Sequence, residues 1–209
     1  STGSATTLTG ATATLNGSAN PRGAAATGWF RYATVSPGTC DDVFGTRAPA
    51  SGGTALGSGN TGIAFSEPIT GLVPGTTYYY CALSQNSVGL SIGSVQSFLA
   101  PNVPTLVTQA ASSITGTTAV LNGSGNPNGA STIGWYRYST TNPGTCNDSF
   151  GTRAPVTAGT GTSLSFGTSP VGYTQSLSGL TPGATYFFCA IASNVVGTGL
   201  GNVLQFTTP

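Results

Sequence analysis

Along residues 11–17, Ala-Thr-Ala-Thr-Leu-Asn-Gly, small apolar side chains alternate with Thr and Asn, the period of a strand with one buried face. The alternation returns at 117–123. A second strand is predicted at Gly28–Tyr32 and again at Gly134–Tyr138, and others near 63–70, 78–84 and 95–99. Turn-forming stretches separate them, such as Ser18–Gly23 and its copy Ser124–Gly129. No segment shows the 3.6-residue period of a helix. The strongest signal is Gly71–Cys81, which returns as Gly179–Cys189: a leucine, Pro-Gly, then a run of aromatics. It reads as a strand end, a turn in which Pro fixes φ and Gly takes φ > 0, and the start of a buried strand.

The chain is therefore a tandem repeat. Thr9–Arg47 aligns with Thr115–Arg153 at an offset of 106, and Leu72–Pro101 with Leu180–Pro209 at 108. The second copy carries two extra residues between these blocks, which places a length-variable loop after Pro49 and Pro155. Two domains follow, 1–101 and 102–209, each close to the usual domain size of about 100 residues. In the second, Val103–Thr108 introduces the first strand. The offset sets Ser1 opposite Val107, so domain 1 lacks a counterpart of Leu106 and is expected to have a shortened first strand. Short, regularly spaced strands with Gly/Pro turns predict an all-β fold of two β-sandwiches.

Several pieces now resemble the fibronectin type III family in its bacterial extracellular form. They are Ala13-Thr14-Leu15-Asn16-Gly17, then Asn20-Pro21 and Gly23, then Phe30-Arg31-Tyr32, then Leu72-Val73-Pro74-Gly75-Thr76-Thr77-Tyr78, all with counterparts in the second copy. The resemblance covers nearly the whole chain. It implies sheets A-B-E and C′-C-F-G in each domain, with Tyr78 and Tyr186 as the residues of a tyrosine corner. It implies no single activity, since such domains serve as spacers, adhesion modules and accessory domains. The departure from the family is a pair of cysteines in each copy.

Composition narrows the function classes. Of 209 residues only nine are charged, five Arg and four acids, about 4% where a soluble domain carries roughly 25%. A net charge of +1 provides no basic face for nucleic acid, and it removes the repulsion that keeps molecules apart. No apolar run reaches the length that crosses a bilayer as a helix, so no membrane insertion is expected. His, Lys and Met are absent. Without His and Lys the chain lacks the commonest general base, the commonest metal ligand and the amine nucleophile. The acids are Asp41, Asp42, Glu67 and Asp148, none paired as two carboxylates across a cleft. The expectation is no enzyme, no cofactor and no metal; Asp41 and Asp42 are read as a solvated turn rather than a calcium site. Without Met, Ser1 is not a translation start, and the chain is expected to be a processed product or fragment.

Six of the nine charges form repeat-matched pairs: Arg31 with Arg137, Asp42 with Asp148, Arg47 with Arg153. They are expected to form a structural charge cluster in which Asp42 accepts from Arg31 or Arg47, and Asp148 from its own arginines. The four cysteines occupy matching positions without a CxxC pair, and pairing Cys40 with Cys81 and Cys146 with Cys189 satisfies both copies by one geometry. If the family pattern turns Phe30, Tyr32, Tyr78 and Tyr80 inward, period-two alternation sends Trp29, Arg31, Tyr79, Cys81 and Leu83 outward. Residues 36–49 are expected to fold across that face. Were it open, Trp29, Tyr79, Leu83 and their counterparts Trp135, Phe187 and Ile191 would be a candidate binding or assembly face. Three triplets, beginning at Asn16, Asn122 and Asn147, match the N-glycosylation pattern and are read as turn residues.

The sequence thus points to a non-catalytic, secreted or cell-surface structural protein, a subunit or segment of a filament, sheath or adhesin stalk. Its expected partners are copies of itself or neighbouring domains of an array, rather than a free-standing monomer. The alternative is a ligand- or carbohydrate-binding accessory module of a larger secreted protein, with Trp29, Trp135 and Tyr79 as its sugar platform.

Overall fold

A computed structural model describes all residues 1–209. The backbone is built from strands and turns without a helix, and it separates into two compact units, Ser1–Pro101 and Asn102–Pro209.

Unit 1 contains β1 (Thr2–Thr6), β2 (Thr12–Ala19), β3 (Ala26–Ala33), β4 (Thr46–Ala48), β5 (Thr54–Gly57), β6 (Ile63–Thr70), β7 (Thr77–Gln85), β8 (Leu90–Ile92) and β9 (Gln96–Leu99). One sheet has the order β1-β2-β6. In the other, β3 and β7 lie at the centre, with β4 and β5 both on the free edge of β3 and β8 and β9 both on that of β7. Every pairing is antiparallel. This is the A-B-E and C′-C-F-G arrangement, with C′ broken into two short strands.

Unit 2 repeats it with β10 (Thr105–Ser112), β11 (Thr118–Asn126), β12 (Thr132–Ser139), β13 (Thr152–Ala154), β14 (Thr162–Ser165), β15 (Val171–Ser178), β16 (Thr185–Ser193), β17 (Thr198–Leu200) and β18 (Leu204–Thr207). The two-residue length difference falls between the halves of C′, in residues 49–53 and 155–161.

Alternation turns one face of each sheet inward. In β2, Ala13, Leu15 and Gly17 are buried between half-buried Thr and Asn. With Phe65 of the neighbouring β6 and with Phe30, Tyr80 and Phe98 across the sandwich they close one aromatic-rich core. Tyr78 packs on Phe98, and its hydroxyl accepts the Val73 N–H at 3.0 Å. Tyr186 does the same with Thr181 at 2.9 Å. The repeated Leu-x-Pro-Gly-x-x-Tyr thus ties the turn to the strand it starts, as a tyrosine corner does.

The first strand differs between units. β10 pairs with β11 from Thr105↔Asn126 onward, whereas β1 starts at Thr2↔Gly17. Both strands carry an irregularity that an asparagine spans. Asn16 Nδ2 donates to Ser4 O and Asn122 Nδ2 to Ala110 O, each at 2.8 Å. Two of the three glycosylation-like triplets are therefore strand-pairing residues.

Candidate functional site

The feature that concentrates charge, aromatics and sulfur lies on the outer face of the larger sheet. β3 presents Trp29 and Arg31 there, and β7 presents Cys81 and Leu83 directly across, in the register Trp29↔Leu83 and Arg31↔Cys81. Such a face would meet water. Instead residues 34–45 cross it, joined to β7 by the Cys40–Cys81 disulfide. Trp29, Cys81 and Leu83 form a small second core with Cys40 and Phe44 against them. Trp135, Cys189 and Ile191 do so in unit 2, beneath Cys146 and Phe150 and the Cys146–Cys189 disulfide.

One carboxylate pins the loop. Asp42 Oδ1 accepts from Trp29 Nε1 at 2.9 Å and from Arg31 Nε at 3.1 Å. Asp148 Oδ1 accepts from Trp135 Nε1 at 2.8 Å and Arg137 Nε at 3.0 Å. Burial raises the Asp42 carboxyl, but the hydrogen bonds from Trp29 and Arg31, with the charges of Arg31 and Arg47, outweigh it and hold its pKa below the ordinary value. The Arg31 guanidinium also reaches Gly45 O at 3.4 Å. Gly45 has φ 49°, and a Cβ there would run into Tyr32 O; Gly151, at φ 50°, meets Tyr138 O in the same way. Glycine is required at this hairpin for both reasons.

Arg47 stands opposite Arg31 in the β3–β4 register and does not bond Asp42. Like charges so placed repel, and Arg47 is directed elsewhere. Its Cζ lies 4.8 Å from the centre of the Trp29 ring, and it donates to Pro49 O and Gly52 O. Arg153 sits 4.7 Å over Trp135 and donates to Pro155 O, Thr157 O and Thr160 O. Burial pushes the Arg153 guanidinium down from its usual pKa, the neighbouring Asp148 opposes this, and the group remains a cation. Each tryptophan is thus held on its edge by a carboxylate and on its face by an arginine that gathers the variable C′ loop.

The structure therefore brings together Arg31, Asp42, Arg47, Cys40 and Cys81, and likewise Arg137, Asp148, Arg153, Cys146 and Cys189. It does not leave an open binding or assembly face at Trp29, Tyr79, Leu83, Trp135, Phe187 and Ile191. Trp29 is 4% and Trp135 6% exposed, and Leu83 and Ile191 are buried with them. Only Tyr79 and Phe187 remain half-exposed. That face is corrected to a covered one, because the disulfide loop supplies its apolar partner, and the tryptophans offer no sugar platform. Asp41 Oδ1 accepts the Val43 N–H at 2.9 Å, and Asn147 Oδ1 accepts the N–H groups of Ser149 and Phe150. Both are turn-forming roles.

The tryptophan indoles as carboxylate donors are what sequence reasoning missed. The signal was the i, i+2 spacing of Trp29 and Arg31, which puts both on one strand face with the same acceptor.

No family model matches the sequence, and no curated protein matches it. Among solved structures the chain is similar to the FN1–FN3 domains of chicken CNTN1, at 14% identity and a TM-score of 0.38, over 100% of this chain and 66% of that one. The fold assignment rests on the sheets and registers above.

Proposed function

We propose that the chain is a non-catalytic segment of an extracellular structural assembly, a filament, sheath or stalk of tandem β-sandwiches. The observation that carries this reading is the twice-repeated closure of the outer sheet face. Six of nine charges, both tryptophans and all four cysteines are committed to holding each loop shut. Chemistry would need such groups free in a cleft, and here they rigidify the unit. Paired cysteines favour an oxidising compartment. The remaining surface is mostly Ser, Thr, Gly and Asn, with almost no net charge to oppose packing between copies.

Negative-stain electron microscopy of the protein concentrated from its native source tests the proposal. Ordered fibres or sheets are expected, and a field of single, unassembled particles under every condition would contradict it.

A further inference from the structure

A strand at the edge of a sheet offers a row of unpaired N–H and C=O groups to any second strand, and folded proteins blunt such edges by shortening, bulging, proline or inward charge. Nearly every edge of these two units is blunted. Those of the larger sheets are broken into strands of three or four residues, β4 with β5, β8 with β9, β13 with β14 and β17 with β18. At one edge of the smaller sheets, β1 and β10 each carry a register shift. The opposite edges are β6 and β15, each eight residues long and in unbroken register with its neighbour.

These two long edges differ at adjacent positions, Glu67-Pro68 in β6 and Gln175-Ser176 in β15. Glu67 alternates with Phe65 and Ile69, both buried, so it sets a charge on the inward side of its strand. The N–H that Pro68 lacks belongs to the free edge. Ser18 exchanges both backbone bonds with Ser1, at 2.9 and 2.6 Å, which turns the even-numbered residues of β2 toward β1 and their partners Ala64, Ser66, Pro68 and Thr70 toward the open side. The same register in unit 2 turns Gly172, Thr174, Ser176 and Ser178 outward, all exposed and all with an N–H. Ser176 O takes the Gln175 side-chain amide at 3.0 Å, and a carbonyl keeps a second lone pair for a ladder bond. β15 is thus the edge with no charge, no proline, no register shift and no break.

We infer that β15 pairs antiparallel with β15 of a second copy of the chain, about a two-fold axis at Gln175, and joins two three-stranded sheets into one of six. The strand is its own complement. From Gly172 to Ser178 exposed and buried residues alternate symmetrically about Gln175, so the axis sets Thr174 opposite Ser176 and Gly172 opposite Ser178 of the other copy. Each facing pair can exchange two ladder bonds. Gln175 meets Gln175, and neutral amides can donate to each other. The same pairing of β6 would set Glu67 on Glu67 and Ser66 on a proline without a donor, and both oppose it. With no charge on β15 to select an acidic or basic strand, the complementary partner is another β15. The inference rests on the proposed assembly of copies and names one contact within it.

The test combines sedimentation velocity, amide hydrogen exchange and cysteine cross-linking of the full chain. Protection at Gly172, Thr174, Ser176 and Ser178 should rise with protein concentration, while Ala64, Ser66 and Thr70 stay fast. Gln175→Glu with Ser176→Pro places the residues of unit 1 on the matching backbone of unit 2; it should leave the unfolding temperature nearly unchanged and weaken self-association by about tenfold or more. Gln175→Cys should cross-link two copies on oxidation, since facing residues of a non-hydrogen-bonded pair lie about 4.5 Å apart at Cα, within disulfide reach. Thr174→Cys, which faces Ser176 instead, should not. Equal assembly of the double variant and the unsubstituted chain, protection confined to other edges, or cross-linking by Thr174→Cys as readily as by Gln175→Cys would overturn this pairing and leave the structural role standing. An unsubstituted chain that stays monomeric throughout would overturn both.

Discussion

Asp42 carries more of unit 1's outer core than its half-exposed position suggests, because both its donors come from the strand beneath while the residue itself belongs to the loop above. As a bare surface ion pair, Arg31–Asp42 would be worth about 0–1 kcal/mol. The indole N–H of Trp29, 4% exposed, changes the accounting, since it would otherwise be left without a partner inside an apolar layer. The folded pKa of Asp42 lies below the ordinary 3.8. The stabilisation it contributes is therefore fully present above that value and is lost as pH falls through the lower folded value. In a Trp135→Phe background, iodide quenching of Trp29 should be weak at neutral pH and rise as pH drops below the ordinary carboxylate range. In Asp42→Asn that step should vanish and neutral-pH stability should fall by about 1 kcal/mol. A pH-independent quenching curve in the unsubstituted loop would show that the disulfide alone holds the lid.

At the scale of elements, what was legible followed the length and regularity of the pattern. The long strands β2, β3, β6 and β7 and their copies were readable from alternation, and the Leu-x-Pro-Gly-x-x-Tyr turn from its residue chemistry. β4, β8, β13 and β17 have three residues each, and β5 and β14 have four, too few for a period to show. They exist because an edge of β3 or β7, or of β12 or β16 in unit 2, pairs with them, which is a tertiary cause. The covering loop was expected from an apolar outer face that needed a partner. Its pins were only half legible: spacing suggested Asp42 with an arginine, but which arginine depended on the cross-strand register that sends Arg47 onto the Trp29 ring. The hairpin glycines are a sharper element-level test. Gly45→Ala forces φ near 49° on a residue with a Cβ and drives it into Tyr32 O. It should cost about 2–4 kcal/mol by thermal unfolding, the left-handed backbone plus the collision, as should Gly151→Ala in unit 2, while Gly38→Ala, also at a left-handed φ of 70° but with open space around its Cβ, should cost only the backbone part, about 1–2 kcal/mol. Equal effects at all three would mean that the close approach to Tyr32 O and Tyr138 O does not hold the hairpin in place.

At the scale of the whole molecule, the two units share one plan and differ in detail. Unit 2 buries Tyr136 and Tyr173 where unit 1 has Phe30 and Phe65. The Tyr136 hydroxyl donates to Tyr173 O at 2.7 Å and that of Tyr173 to Ile191 O at 3.1 Å, and burial raises both phenols far above the usual range. The first strand spans Thr2–Thr6 in unit 1 and Thr105–Ser112 in unit 2. Function was the least legible level, because these sequences spend their distinctive residues inside the fold. What remains outside is an almost uncharged surface, and the proposed structural role depends on such surfaces meeting. Sedimentation velocity of the disulfide-intact chain across the micromolar range, at low and high salt, tests this most directly. The account predicts species that grow with concentration and change little with salt, since few charges exist to screen. A single 20.6 kDa species at every concentration would contradict it.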